Sequence, residues 1–386
     1  MDNYTKSEIF EIFDDEISLD FLKKTIKKYK INLNDKNLIL DDFQKNNSLL
    51  LLCKNNNIDV VKYLIEEIKI DYTYENYDGE NCLLVACSHN ENLAVIKYLI
   101  EEIKMDYTCK NKNDENCLLV ACAHNRNLDI ITYLIEEVKM DINSINVYEE
   151  NCLLMACYKN PTLEIIKYLI ENKKMDTNYK NLSEENCLLL ACKNNKNLEI
   201  IRYLIEDANV DINYEDPDRN NCFLSACQDN ENLEIVEYLI EEKKMDTNFT
   251  NNYEENCLIL ACKNNSELDI IKYLIEDVKI DKNYIDSKGN NCLLSACEGN
   301  MNLEITKYLI EEQKMDINYK NSDGENCLLL ACKKNIYPIE IVEYLVEKKN
   351  MDINSKNNYG ENALLLARHR SVNMLNLIKC LIEEKK

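Results

Sequence analysis

The sequence predicts an all-α solenoid of helix–turn–helix units joined by hairpin-like loops, with a period of 35 residues. Two observations carry this expectation. The heptapeptide Asn-Cys-Leu/Phe-Leu/Ile-x-Ala-Cys returns with its first cysteine at Cys82, Cys117, Cys152, Cys187, Cys222, Cys257, Cys292 and Cys327, every interval being 35 residues. A period between about 20 and 50 residues marks a stacked array in which neighbouring units supply each other's core. Within each period, apolar residues recur twice at helical spacing, and an asparagine suited to N-capping precedes each run.

The elements follow in chain order. Glu8–Phe13 and Leu19–Lys30 read as a degenerate helix pair, and Ile31-Asn32-Leu33-Asn34 matches the later Met315-Asp316-Ile317-Asn318. Residues 1–47 are therefore expected to form an N-terminal cap. Units then begin at Ser48, at the eight cysteines and at Ala363, giving nine repeats over 48–362 and a C-terminal capping repeat over 363–386. The only length changes are in the first and last steps, the latter near Ile336-Tyr337-Pro338.

The unit from Asn81 to Glu115 serves as a specimen. Asn81 is placed to cap a short apolar helix, Cys82–Ser88. Asn90 and its equivalents, including Asn125, Asn160, Asn195 and Asn265, are expected to end the first helix in the left-handed region, which asparagine tolerates better than most side chains. Asn92 caps a second helix whose Leu93, Ile96, Leu99, Ile100 and Ile103 form one apolar stripe. Lys104 in its last turn suits the helix dipole. Met105 to Thr108 then lead into a polar connector.

This unit resembles the ankyrin repeat. Asp323-Gly324-Glu325-Asn326-Cys327-Leu328-Leu329-Leu330-Ala331-Cys332 lines up with the family's D-G-x-T-P-L-H-x-A-A, and Lys314-Met315-Asp316-Ile317-Asn318 with G-A-D-V-N. The departures are systematic: Asn for Thr, Cys for Pro, Leu for His, Cys for the second Ala. Two residues are added to the usual ~33, one between the helices and one after the second. Cys- and Asn-rich variants of this kind are similar to arrays encoded by large DNA viruses and protists.

Composition narrows the function. Asp and Glu number 70 against 46 Lys and Arg, a formal charge of −24. Such a surface repels nucleic acid and anionic membranes, so neither is an expected partner. The acid-rich ends of the second helices, such as Glu101-Glu102 and Glu241-Glu242, read as a solvated convex face. No apolar run reaches membrane-spanning length, and the first twenty residues lack the pattern of a signal peptide. Nineteen cysteines without a secretion signal imply a reducing, cytoplasmic setting and a thiol core. Equivalent cysteines in adjacent repeats should lie about 10 Å apart, the helix spacing, too far for a disulfide. The Cys-x4-Cys spacing does not match a zinc site, so no metal is expected.

Phosphate-loop and dinucleotide fingerprints are absent, and the 3 histidines show no catalytic setting, so neither enzyme activity nor a cofactor is expected. His89 and His124 read as surface variation in one repeat slot. The ladder Tyr179, Tyr214, Phe249, Tyr284 and Tyr319 is assigned to packing between repeats. The ankyrin resemblance implies a monomeric scaffold whose protein partner docks on the concave side, against hairpin tips and the exposed turn of the first helices. Carried onto this chain, those slots give Tyr77, Tyr148, Tyr158, Lys159, Lys193, Tyr253, Lys263, Lys333 and Lys334 as partner-binding residues. Two rival functions are an adapter recruiting ubiquitin-ligase or other cellular machinery through the N-terminal segment, and a thiol-rich metal or redox buffer.

Overall fold

A computed structural model describes residues 17–29, 33, 46–54, 56–333 and 339–368. The expected helix at Glu8–Phe13, the insertion at Ile336–Pro338, Lys334 and Cys380 lie outside them. The chain divides into two compact units, residues 1–187 with 206–210, and 188–205 with 211–386.

Both units repeat one helix pair. First helices include Cys82–His89, Cys117–His124 and Cys152–Lys159 in one unit, and Cys222–Asp229, Cys257–Asn264 and Cys292–Gly299 in the other. Asparagine starts each as expected: the Asn81 side-chain oxygen accepts from the backbone N–H of Leu83 and Leu84, each at 3.0 Å. From Cys117 to Ala123 every residue is buried. A helix apolar on all sides belongs inside a stack, and each buried leucine contributes roughly 1.5–3 kcal/mol. The second helices are amphipathic. In Leu128–Glu136 the residues Ile130, Ile131, Tyr133, Leu134 and Ile135 are buried, while Asp129 and Glu136 are exposed. Asn92 caps the second helix of its repeat by accepting from the Ala94 N–H at 3.0 Å.

The ends of these helices differ from the sequence-based expectation. Asn90 and Asn125 are extended, with φ of −89° and −78°. The left-handed residues are instead Lys104 (φ 64°), Lys139 (φ 63°), Lys244 (φ 56°) and their equivalents after the second helix. That helix closes on a wide turn: the Ile103 N–H donates to the Tyr98 carbonyl and the Met105 N–H to that of Leu99, both at 3.0 Å. A π-type turn takes in more residues than an α turn, which accommodates the added residue at this end of the unit. The lysine is left-handed because chain closure demands it there.

The asparagines are instead buried connectors. Asn125 Nδ2 donates at 2.9 Å to the carbonyls of both Cys87 and Asn90 in the preceding repeat, and its Oδ1 accepts from the Asn127 N–H at 2.9 Å. Asn265 does the same with Cys227 and Asn230 in the other unit. A carboxylate–tyrosine ladder joins the second helices. Tyr133 Oη donates to Glu101 at 2.9 Å and Tyr273 Oη to Glu241 at 3.0 Å. These glutamates are therefore ties between repeats rather than merely solvated charges.

The cysteines are core, with 17 of the 18 described thiols buried and none of the 18 in a disulfide. Several, however, bond non-equivalent cysteines of adjacent repeats. Cys122 hydrogen-bonds Cys152, and that bond, then burial, holds its thiol well above the ordinary range. Cys262 pairs with Cys292 likewise, with burial there the larger cause. The expected 10 Å spacing concerned equivalent positions and left these pairs out. The expected aromatic ladder does tie repeats together: Tyr179, Tyr284 and Tyr319 donate to the carbonyls of Glu149, Glu254 and Gly289 at 3.0–3.1 Å.

Candidate protein-docking face

The connectors between helix pairs are tight hairpins organised by one asparagine each, or by an aspartate at Asp216 and Asp286. Asn76 Oδ1 accepts from the N–H of Asp78 and of Glu80, both at 2.9 Å, while Gly79 takes φ 78°. Equivalent left-handed positions are held by Asp114, Glu149 and Glu254. Each tip then bonds to the next. The N–H groups of Lys112, Val147 and Leu182 donate to the carbonyls of Asp78, Asn113 and Tyr148 at 2.9 Å. In the second unit Asn252 donates to Asp218 at 2.9 Å and Ser287 to Tyr253 at 3.0 Å. Within each unit the tips thus form a fixed backbone row, a support that needs little ordering when something binds.

Large side chains stand on these tips in both units. Tyr77 is 66% exposed, Tyr148 53%, Leu182 65%, Tyr253 50% and Tyr359 71%. Lys112 Nζ lies 4.1 Å from the Tyr77 ring centre, and Tyr253 Oη donates to Asp218 at 3.3 Å. Tyr158 and Lys193 are half-buried at the ends of their first helices, and Lys159 is exposed with Nζ 5.8 Å from the Tyr158 ring centre.

Two expected lysines are not open cations. Lys263 Nζ donates to Glu255 at 2.6 Å and Lys333 Nζ to Glu325 at 2.8 Å, both carboxylates being buried. These pairs leave no local mark, because the eight-residue separation matches no helical pairing rule. The histidines do meet: the His89 and His124 rings lie 6.0 Å apart, centre to centre, and 6° from parallel. Crowding by protein atoms, then Lys159 and His89, push His124 down to about 4. Among the described residues no group of three or more His, Cys, Asp or Glu side chains is placed to hold a metal ion. None of their helices is long and apolar enough to cross a membrane.

The family model for ankyrin repeats, built of three copies, matches the chain over residues 16–111, 91–181, 118–216, 188–286, 223–321 and 293–386. No curated protein matches it. Among solved structures, one chain of the complex between a predatory endopeptidase from Bdellovibrio bacteriovorus and an immunity protein is 24% identical. The match covers 52% of this chain and 97% of that one, with a TM-score of 0.39.

Proposed function

This chain belongs to the ankyrin-repeat family, and from that premise we propose that it is a non-enzymatic scaffold binding a protein partner on the face of its hairpin tips and first helices. Ankyrin repeats are in general protein–protein interaction modules. The observation that supports this face is the set of exposed tip side chains on a hydrogen-bonded backbone, Tyr77, Tyr148 and Leu182 in the first unit and Tyr253 in the second. Tyrosine offers a large, stiff contact area at low entropic cost and is favoured at binding hot spots. Tyr158 and Lys159 in the first unit and Lys193 in the second are assigned the same role, as is Lys334 by its place in the repeat. Lys263 and Lys333 contribute their aliphatic stems, since their charges are already matched. The unbonded thiols suit a reducing cytoplasm.

The test is partner capture from native lysate with two multi-site variants. One changes Tyr77, Tyr148 and Tyr253 to Ala. The other changes Asp129 to Asn and Glu164 and Glu234 to Gln, on the second helices. Loss of partners in the first variant and retention in the second is the expected result. The reverse pattern would place the docking surface on the second helices.

A further inference from the structure

Two repeats of the second unit fill their hairpin carboxylate from within the chain. Glu255 receives Asn251 Nδ2 on Oε2 at 3.0 Å and Lys263 Nζ on Oε1 at 2.6 Å. Glu325 receives Asn321 Nδ2 on Oε2 at 3.4 Å and Lys333 Nζ on Oε1 at 2.8 Å. In both, the lysine stands eight residues after the glutamate.

Glu80 and Glu115 hold the same position in the first unit and are set by the same bond. Asn76 Nδ2 donates to Glu80 Oε2 at 2.8 Å and Asn111 Nδ2 to Glu115 Oε2 at 2.7 Å. Eight residues on, however, stand Ser88 and Ala123. Among the described residues neither carboxylate has a cation bonded to it. Both line one pocket together with the stacked His89 and His124, the apolar Val120, and Lys54.

We propose that this pocket receives an arginine side chain of the protein partner, supplying from outside the cation that Lys263 and Lys333 supply from inside. The proposal rests on the docking face argued above. Glu80 and Glu115 offer the charge, and the parallel imidazoles offer a flat surface. A guanidinium can use both, because it is planar, stacks on rings and bonds carboxylates through several N–H groups. Lysine meets the charge alone and binds more weakly. Lys54 and Lys159 oppose any added cation, so the selectivity depends on direct contact rather than on long-range attraction.

The experiment uses the full chain at neutral pH and Nα-acetyl-arginine methylamide as probe, with the lysine and norleucine analogues beside it. The chain has 3 histidines, so the C2–H resonances of His89 and His124 report the pocket and His369 serves as reference. The expected result is a saturable shift of His89 and His124 that is largest with arginine and absent with norleucine. Ser88→Lys with Ala123→Lys should weaken it at least about tenfold by filling the slots internally, equivalent to ~1.4 kcal/mol. Glu80→Gln with Glu115→Gln should do the same by removing the negative charges. Thermal midpoints of both variants check that the fold is intact. Parallel movement of His369, or undiminished shifts in the self-filled variant, would overturn the proposal. If arginine still binds while the tyrosine variant keeps its partners, the docking face falls and the pocket stands; lost arginine shifts sink only the pocket.

Discussion

Asn125 Nδ2 donates to the carbonyl of Asn90, thirty-five residues earlier, at 2.9 Å, and Asn125 is 1% exposed. One amide closes the helix end of the preceding repeat, while its oxygen sets the start of its own second helix by accepting from Asn127.

Replacing Asn125 by glycine is therefore expected to destabilise the protein. The change leaves two buried carbonyls and one N–H without their partner, about 2–4 kcal/mol in total. A left-handed asparagine would have given a neutral or stabilising effect. Urea unfolding of the full chain distinguishes the two, and an unchanged midpoint would remove the buried-connector role.

Lys139 should behave oppositely. It sits at φ 63° and is exposed, so the backbone strain of a side chain there is not offset by burial. Lys139→Gly is expected to stabilise by about 1 kcal/mol, and Lys139→Val to destabilise. Thermal midpoints of the pair decide it; equal shifts would contradict the left-handed assignment.

Thiol labelling should find Cys109 first. It is the one half-exposed cysteine among those described, and its Sγ accepts from Asn81 Nδ2 at 3.2 Å. Its bond with Cys117, then burial, hold its thiol far up, so labelling is slow and quickens with pH. Cys109→Ser should remove one equivalent of native reactivity, and the buried thiols should react only on unfolding. Rapid labelling of many thiols in the folded chain would favour the metal- or redox-buffer function.

His124 makes stability fall with acid. Its proton affinity is depressed from the ordinary 6.5 to about 4 in the folded chain. Between those values the unfolded chain binds the proton and the folded chain does not. The contribution is thus intact above 6.5 and is lost as pH falls toward 4. His89, Lys159, Lys54, Glu80 and Glu115 surround this ring. Lys159→Gln should raise the NMR titration midpoint of His124; no movement would remove Lys159 as a cause.

The period, the two helices and both asparagine caps were legible because each leaves a local mark: spacing, apolar stripe, side-chain acceptor. The left-handed sites were not. Asparagine is the usual residue for such a turn, and it is equally the residue whose amide can bridge two backbones, so Asn90 and Asn125 fitted either role. Lys104 and Lys139 carry no local signal at all, since their conformation is imposed by closing one helix against the next hairpin. The Cys122–Cys152 contact was missed because like positions were compared with like. The exposed tips Tyr77, Tyr148 and Tyr253 were readable from their varied slots. The pairing of Lys263 with Glu255 was not, because the hairpin, rather than the helix, brings the two together.

The asparagine bridge also bears on how such a gene can change length. Asn125 reaches back to Cys87 and Asn90, and Asn160 reaches back to Cys122 and Asn125 in the same way. Each bridge joins one module to whatever identical socket precedes it. Loss or duplication of a single thirty-five-residue module brings Asn and socket together again with no unmatched amide at the junction. Unequal recombination in whole modules is therefore a change in length that the chemistry tolerates.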